Sequence, residues 1–178
     1  MMEAEIENID IIAPQVHFGK PEQEPYFNQL SLACYDPEKI HSIIIRFLND
    51  YEININDFPL DKGSYSRTIL FRNQSYLELM IARWDKGAKT QIHGHPDFVY
   101  EYLIDGLFQI ESFKKNGSYV NKIASNSQQP GEFICLQGFK GQFDNAIHRI
   151  TAKKESLSLH IYSDNALKGE IFTDFKTF

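Results

Sequence analysis

The stretch Ile92-His93-Gly94-His95 decides how this sequence is interpreted, and it has a counterpart further along the chain in Asn145-Ala146-Ile147-His148. Side chains alternate between the two faces of an extended strand, so His93 and His95 project from the same face. A third histidine from a distant strand, His148, would complete a set of three imidazole ligands and leave other positions of a metal ion open. Because the chain has only six histidines, this arrangement predicts a metal-binding enzyme.

Short strands are predicted on both sides of this stretch. After Pro59, runs of residues with strand character are separated by turn sequences such as Asp105-Gly106 and Asn116-Gly117. About eight strands without a helical pattern between them indicate a mainly β fold, an antiparallel sandwich or jelly-roll barrel. The predicted strands are Tyr65–Asn73, Tyr76–Asp85, Phe98–Ile104, Leu107–Lys114, Tyr119–Ala124, Glu132–Leu136, Ile147–Ala152 and Leu157–Ser163.

The part of the chain before the strands is predicted to contain two helices. The second is predicted to begin after Asp36, which suits the N-cap position, with Pro37 at the first helical position. Apolar residues then recur at helical spacing. We expect an N-terminal arm at residues 1–22 and a single domain at residues 23–178. Within that domain, a small helical cap at about 23–51 should lie outside a barrel at about 60–165.

Composition and charge narrow the possible partners. A chain of 178 residues is long enough for one well-packed domain, and 42% hydrophobic residues argue against disorder. The net charge of -6 argues against nucleic acid or an anionic membrane surface as the main partner. The first residues are acidic, unlike a signal peptide, and two cysteines are too few for a disulfide framework. We therefore expect a cytoplasmic protein, a monomer or weak dimer, whose partners are small molecules.

The last predicted strand carries a polar row inside an apolar sequence. In Leu157-Ser158-Leu159-His160-Ile161-Tyr162 the aliphatic side chains share one face, whereas Ser158, His160 and Tyr162 share the other. If both faces are covered, as in a barrel wall, the three polar side chains must be hydrogen-bonded, and a serine–histidine–tyrosine relay satisfies them. The alternative is an edge strand whose polar face is in contact with water.

Tyr65 and Arg67 share one face of the first predicted strand. An arginine directed into a barrel needs an anionic partner, and a substrate carboxylate would match the fork of its guanidinium group. The alternative is an arginine at the rim of the barrel that pairs with one of the 24 acidic residues. Arg67 therefore has two interpretations, one as a substrate-binding residue and one as a structural residue.

Several of these segments resemble the thiol dioxygenase branch of the cupin superfamily, the family of cysteine dioxygenase type I. The stretch Gly87–His95 matches the first half of the cupin signature, a glycine followed by five residues and His-x-His. Tyr65-Ser66-Arg67, at its distance from that stretch, is similar to the family's tyrosine-x-arginine segment. Ile147-His148-Arg149 and residues 158–163 resemble the family's third ligand and its serine–histidine–tyrosine strand. The resemblance covers residues 25–165.

The resemblance implies a cupin jelly-roll barrel and an iron-dependent dioxygenase. Both atoms of O2 would be added to the sulfur of cysteine or a similar small thiol, which gives a sulfinic acid. The resemblance assigns Fe(II) ligation to His93, His95 and His148, carboxylate binding to Arg67 and Tyr65, and a catalytic hydrogen bond to Tyr162, oriented by His160 and Ser158.

Two neighbouring positions depart from the family pattern. At the position of Tyr100, animal members of the family carry a cysteine that forms a thioether crosslink to the tyrosine matched by Tyr162. Because Tyr100 replaces that cysteine, no thioether to Tyr162 is expected. We expect Tyr100 to line or abut the pocket as a substrate-binding residue. Glu101 faces the same way as His95 if the alternation is unbroken, and we expect it outside the metal shell, paired with a cation.

Two other classes of function stay open at this point. With Glu101 as a fourth ligand, the protein would be a cupin oxygenase, isomerase or cyclase with a different substrate. A non-catalytic cupin that senses a small molecule, with a structural metal or none, is the other alternative. Iron content measured together with thiol-dependent O2 uptake separates these possibilities.

Overall fold

Two helices precede the sheets in the computed structural model, which describes residues 21–73, 77–173 and 175–176. After a 3-10 turn, α1 and α2 span Glu24–Leu32 and Pro37–Asp50. The Asp36 carboxylate accepts hydrogen bonds from two backbone N–H groups of the first turn of α2, which that turn would otherwise leave free. The predicted arm, residues 1–22, lies outside the described residues except for its last two. Neither helix is long and apolar enough to cross a membrane, and no other described helix is.

Eleven strands follow within the described part of the chain. Three short ones, β3, β10 and β11, are additional to the predicted strands. They lack a run of alternating apolar residues, so their formation depends on partners distant in the sequence. The strands are β1 (Tyr65–Arg72), β2 (Glu78–Trp84), β3 (Ile92–His95), β4 (Phe98–Asp105), β5 (Phe108–Asn116), β6 (Tyr119–Gln128), β7 (Phe133–Gln137), β8 (Asn145–Ala152), β9 (Ser156–Tyr162), β10 (Ile171–Phe172) and β11 (Phe175–Lys176).

The strands form two sheets that make up a jelly roll. The first sheet has the order β1-β2-β9-β4-β7, and the second has the order β10-β3-β8-β5-β6-β11. The pairing is antiparallel between these neighbours except for β11, which pairs with β6 in parallel. From β2 to β5 and from β6 to β10, consecutive strands alternate between the two sheets, as in a jelly roll. The predicted fold class, a mainly β jelly roll with two helices, is confirmed.

The helical cap lies on the outer face of the first sheet. Ile40 and Phe47 of α2 belong to the same buried cluster as Leu159 and Ile161 of β9. Burying each such side chain contributes about 1.5–3 kcal/mol. Because side chains alternate along β9, the residues between these apolar ones face the interior of the barrel, where they are available for a site.

Candidate metal centre

Three histidines meet inside the barrel on the second sheet. His93 and His95 lie on β3, and His148 lies on β8 directly opposite His93 in the antiparallel register. The ring centroids are 4.7 Å apart for His93 and His95, 4.8 Å for His93 and His148, and 4.5 Å for His95 and His148. One nitrogen of each ring lies within 4.8 Å of the others, and the Nε2 atoms of His95 and His148 are 3.1 Å apart. The three rings can therefore serve one ion.

The backbone around Gly94 explains why glycine separates the first two histidines. A Cβ atom at this position would lie 2.5 Å from the Cα atom of Asp144, closer than any side chain can be. Asn145, the first residue of β8, donates a hydrogen bond from its side-chain amide to the carbonyl oxygen of His95. This bond ties the strand that carries His148 to the end of β3. The sequence predicts no role for Asn145, although it opens the motif that ends in His148.

Hydrogen bonds to backbone carbonyl groups orient two of the rings. Nδ1 of His93 lies 2.9 Å from the carbonyl oxygen of Gln91, and Nδ1 of His95 lies 3.0 Å from that of Gly94. A carbonyl oxygen only accepts, so each Nδ1 carries the proton and each Nε2 presents a lone pair. Burial lowers the pKa of His93 and holds the pKa values of His95 and His148 well below the usual range, which keeps the rings neutral at pH 7. Convergent neutral imidazoles fit Fe, Ni, Cu or Zn.

A chain of buried hydrogen bonds runs along the inner face of the first sheet. The indole Nε1 of Trp84 lies 2.8 Å from Ser158 Oγ, and that oxygen lies 2.7 Å from Nε2 of His160. Nδ1 of His160 lies 3.1 Å from the hydroxyl oxygen of Tyr162. An indole N–H only donates, so Ser158 accepts from Trp84. Among the described hydrogen bonds, Nε2 of His160 is the only acceptor for the proton of the fully buried Ser158 hydroxyl, so Ser158 donates to His160. His160 then carries its proton on Nδ1 and donates it to Tyr162, whose own hydroxyl proton points elsewhere.

Burial keeps this relay uncharged. It lowers the pKa of His160 to about 3, and electrostatic repulsion by the Arg67 guanidinium and by a protonated His93 acts in the same direction. Burial also raises the pKa of Tyr162 well above its usual value, so the tyrosine keeps its proton at pH 7. The alternative of a wet edge strand does not apply, because β9 lies between β2 and β4 and all its residues are buried.

The three histidines face one cavity of about 430 Å³. His160 and Tyr162 of the relay line the same cavity, and so do Tyr65 and Arg67 of β1. The guanidinium carbon of Arg67 lies 5.5 Å from the centroid of the Tyr65 ring, and that ring stacks on Trp84 at 4.3 Å. Among the described residues, no carboxylate forms an ion pair with Arg67, and no acidic residue lines the cavity. Arg67 is exposed and lines the cavity, and with no acidic partner in the described ranges it is available to an anionic ligand.

Most of the residues predicted for the site thus lie together. Ser158 is not in the lining and reaches the cavity through its hydrogen bond to His160. The predicted residues that line the cavity are Tyr65, Arg67, His93, His95, His148, His160 and Tyr162.

The expectation for Tyr100 is wrong. Tyr100 is fully buried on the outer face of the first sheet, where its hydroxyl lies 2.8 Å from Nδ1 of His41 in α2 and its ring stacks on Phe133. A side chain of β4 that faces the helical cap cannot also face the barrel. The residue of β4 that contacts Tyr162 is Val99, its partner in the register. A valine cannot form a thioether, so neither residue offers a crosslink.

Glu101 faces the interior of the barrel, as the alternation along β4 predicts. It is buried and does not belong to the three-histidine group. The expected cation partner is not found in the described part of the chain. Oε2 of Glu101 lies 3.8 Å from Nδ1 of the neutral His160, and Oε1 has no hydrogen-bond partner there. Burial raises the pKa of Glu101 to about 8.

Comparison with known proteins identifies the fold. No family model and no curated protein matches the sequence. An uncharacterized conserved protein with a double-stranded β-helix domain from Klebsiella pneumoniae is similar in structure, with a TM-score of 0.50 and 12% identity over 68% of this chain and 96% of that one. A cupin superfamily protein from Desulfitobacterium hafniense has a TM-score of 0.47 and 13% identity, over 62% of this chain and 87% of that one. A conserved protein of unknown function from Streptococcus pyogenes has a TM-score of 0.47 and 15% identity, over 64% and 87%. The likeness to the Klebsiella domain shows the fold alone, a double-stranded β-helix.

Proposed function

We propose that this protein is an iron-dependent thiol dioxygenase that adds both atoms of O2 to the sulfur of cysteine or a similar small thiol. The observation that carries the proposal is one cavity that combines three kinds of group. These are convergent neutral imidazoles, an arginine with no acidic partner among the described residues, and a buried tyrosine that keeps its proton. The thiol and O2 are the small-molecule partners, the product is a sulfinic acid, and the proposed compartment is the cytoplasm.

His93, His95 and His148 are the residues that would hold Fe(II). An ion held by three neutral imidazoles keeps its full positive charge, which favours a negatively charged thiolate sulfur. Bound Fe(II) would supply the redox chemistry by which O2 reacts with the sulfur. The protein supplies the ligands, the orientation of the substrate and the hydrogen-bond donors around it.

Arg67 supports a substrate that carries a carboxylate. Its guanidinium group presents paired N–H donors that match the two oxygens of a carboxylate, and no described protein carboxylate occupies them. The ring of Tyr65, stacked on Trp84, lies against the guanidinium group and limits its movement. A thiol whose carboxylate is held here has its other end free to face the histidines.

Tyr162 is proposed as the hydrogen-bond donor to oxygen or to the substrate carboxylate. His160 donates its own N–H to the tyrosine oxygen, so the tyrosine proton is directed away from the relay. The high pKa of Tyr162, which burial causes, keeps that proton in place. The hydroxyl thus serves as a fixed donor and not as a base.

The test measures iron content and O2 uptake with cysteine, 3-mercaptopropionate and cysteamine. Iron-loaded protein should consume O2 with at least one carboxylated thiol. Arg67→Ala should raise KM for the carboxylated thiols about 100-fold, because two charge-assisted hydrogen bonds are lost, and should change KM for cysteamine little. Arg46→Ala is the matched control, since Arg46 is exposed on α2 and bonds to Gln29 away from the cavity.

Other outcomes favour other functions. An equal loss for all three thiols would make Arg67 a structural residue. A tightly bound metal without turnover on any thiol would favour a sensing cupin, and a Glu101 oxygen among the metal ligands would favour a four-ligand cupin with another substrate. Metal content, thiol-dependent uptake and ligand identity are measured separately, so these outcomes can be distinguished.

A further inference from the structure

Glu101 is a buried acidic residue to which the proposed function gives no role. The residue is 1% exposed, and its partner in the register between β4 and β9 is His160. Oε2 lies 3.8 Å from Nδ1 of His160, and Oε1 has no hydrogen-bond partner among the described residues. A buried carboxylate with a free oxygen carries a large desolvation cost, which a neutral carboxylic acid largely avoids.

The contact between Glu101 and His160 is too long for a buried ion pair. Charge-assisted N–H···O⁻ bonds are about 2.7–2.9 Å long, whereas this contact is 3.8 Å. Nδ1 of His160 lies closer to Tyr162, at 3.1 Å, and Nε2 of the same ring accepts from Ser158. The ring is therefore a neutral imidazole whose single proton goes to Tyr162, and it offers Glu101 no positive charge.

No neighbouring group within the described ranges stabilises an anionic Glu101. The titratable groups that face it from β9 are His160 and Tyr162, and its partner on β7 is the apolar Ile134. Arg67 on β1 lowers the pKa values of His160 and Tyr162, but burial alone affects the pKa of Glu101. The histidines of β3 and β8 across the barrel are neutral.

We propose that Glu101 is a neutral carboxylic acid at pH 7 and acts as a positioning residue for Tyr162. While Glu101 is uncharged, His160 donates its Nδ1 proton to Tyr162, and the tyrosine proton points into the cavity. An anionic Glu101 would compete for the Nδ1 proton and attract the tyrosine proton, so the donor toward the substrate would be lost. The positioning role rests on the proposed function, whereas the protonation state does not.

Infrared spectroscopy of the full-length protein tests the protonation state directly. At pH 7 ordinary carboxyl groups are ionised, so a carboxylic-acid C=O band reports a carboxyl group that stays protonated. The band should be present in the wild type and absent from Glu101→Gln. It should be unchanged in Glu111→Gln, the matched control, because Glu111 is ion-paired to Lys122 and Arg149. In the wild type the band should also disappear as the pH rises through about 8, so the result does not depend on the folding of a variant.

Turnover tests the positioning role separately. Above pH 8 the wild-type kcat/KM for a carboxylated thiol should fall about tenfold per pH unit as Glu101 ionises. This decline should be missing from Glu101→Gln and retained in Glu111→Gln. A wild type without the band, or a band that survives in Glu101→Gln, would overturn the proposal, and so would loss of metal from Glu101→Gln. A wild type that has the band but oxidises no thiol would defeat the proposed function and leave the protonation state standing.

Discussion

Strands β4 and β9 carry an apolar outer face under the helices and a polar inner face in the barrel. On the outer face, Tyr100 and Leu159 belong to one buried cluster with the helical cap. On the inner face of the same strands, Glu101, His160 and Tyr162 are equally buried, although buried polar groups cost free energy unless they are hydrogen-bonded. Adjacent residues of one strand are thus divided between fold stability on the outer face and a candidate site on the inner face.

The largest expected effect comes from removing a metal ligand inside the barrel. His148→Ala takes away one of three convergent imidazoles and should lose most of the bound metal, because two histidines hold a divalent ion weakly. Metal content after reconstitution and desalting gives the measurement. His41→Ala is the control, since His41 lies on α2 at the outer face and should keep the wild-type metal content. Full retention of metal by His148→Ala would contradict the assignment of metal binding to the inner face of the barrel.

The next largest effect belongs to the outer face. Leu159→Ala should lower the free energy of unfolding by about 2–5 kcal/mol, because it leaves a cavity in a fully buried cluster, and should leave metal content in the folded protein unchanged. Denaturant unfolding measures the loss. Ile123→Ala, at a position 63% exposed on β6, should change it by less than about 0.5 kcal/mol. Loss of metal from folded Leu159→Ala would show that the outer face also shapes the site.

Elementary strand geometry predicted this division better than the family resemblance did. Alternation along β4 predicts that Glu101 faces the barrel, and the structure places it there. Tyr100 was expected at the pocket because a cysteine of the animal family members was matched to it, yet two adjacent residues of one strand cannot both face inward. The break at Pro96 separates β3 from β4, so a count of residues across it does not fix which residue meets Tyr162. That residue is Val99, and only the register identifies it.

The fold itself was predictable where periodicity is strong. The capping signal at Asp36 and the apolar spacing of α2 predict that helix, and alternation predicts the polar row of β9. The short strands β3, β10 and β11 were not separately predicted, because their pairing depends on long-range partners. The role of Asn145 was missed for the same reason, since its hydrogen bond to His95 joins two distant segments.

The pH dependence of stability should distinguish the buried groups of the inner face. Burial lowers the folded-state pKa of His160 from 6.5 to about 3. The contribution of neutral His160 to the free energy of unfolding is therefore fully present above pH 6.5 and is lost as the pH falls from 6.5 toward 3. Folding raises the pKa of Glu101 from 4.5 to about 8. Its contribution to the free energy of unfolding is therefore present at low pH and is lost as the pH rises toward 8. Between pH 6.5 and 8 stability should therefore fall by about 1.4 kcal/mol per pH unit.

Denaturant unfolding of the metal-free protein across this pH range gives the measurement. Glu101→Gln should remove the fall between pH 6.5 and 8 and keep the loss at acidic pH. Glu111→Gln should keep the fall, since the lysine and the arginine paired with Glu111 hold its pKa below the usual range. A wild-type stability that rises between pH 6.5 and 8 would contradict a protonated Glu101.

A smaller effect, on catalysis alone, is expected for Tyr162→Phe. The variant loses one hydrogen-bond donor and no ligand, so turnover should fall about 10- to 100-fold while iron content stays at the wild-type level. Oxygen uptake and metal analysis on the same samples check both parts. Tyr102→Phe is the matched control, because Tyr102 packs with the outer cluster of the same sheet. Loss of iron from Tyr162→Phe would show that the tyrosine holds the site together by packing.

The smallest effect is expected for Tyr100→Phe, which tests the outer face of β4 at the position that the family pattern placed in the pocket. The variant removes the hydrogen bond to His41 and keeps the buried ring. The cost should be about 1 kcal/mol in the free energy of unfolding, because His41 is only half-buried and can bond to water in place of the tyrosine. KM values for the thiols should not change, since β4 directs Val99 and Glu101 to the barrel and Tyr100 to the helices. A changed thiol preference in this variant would mean that the cavity extends through β4, and the two faces could then no longer be treated as separate.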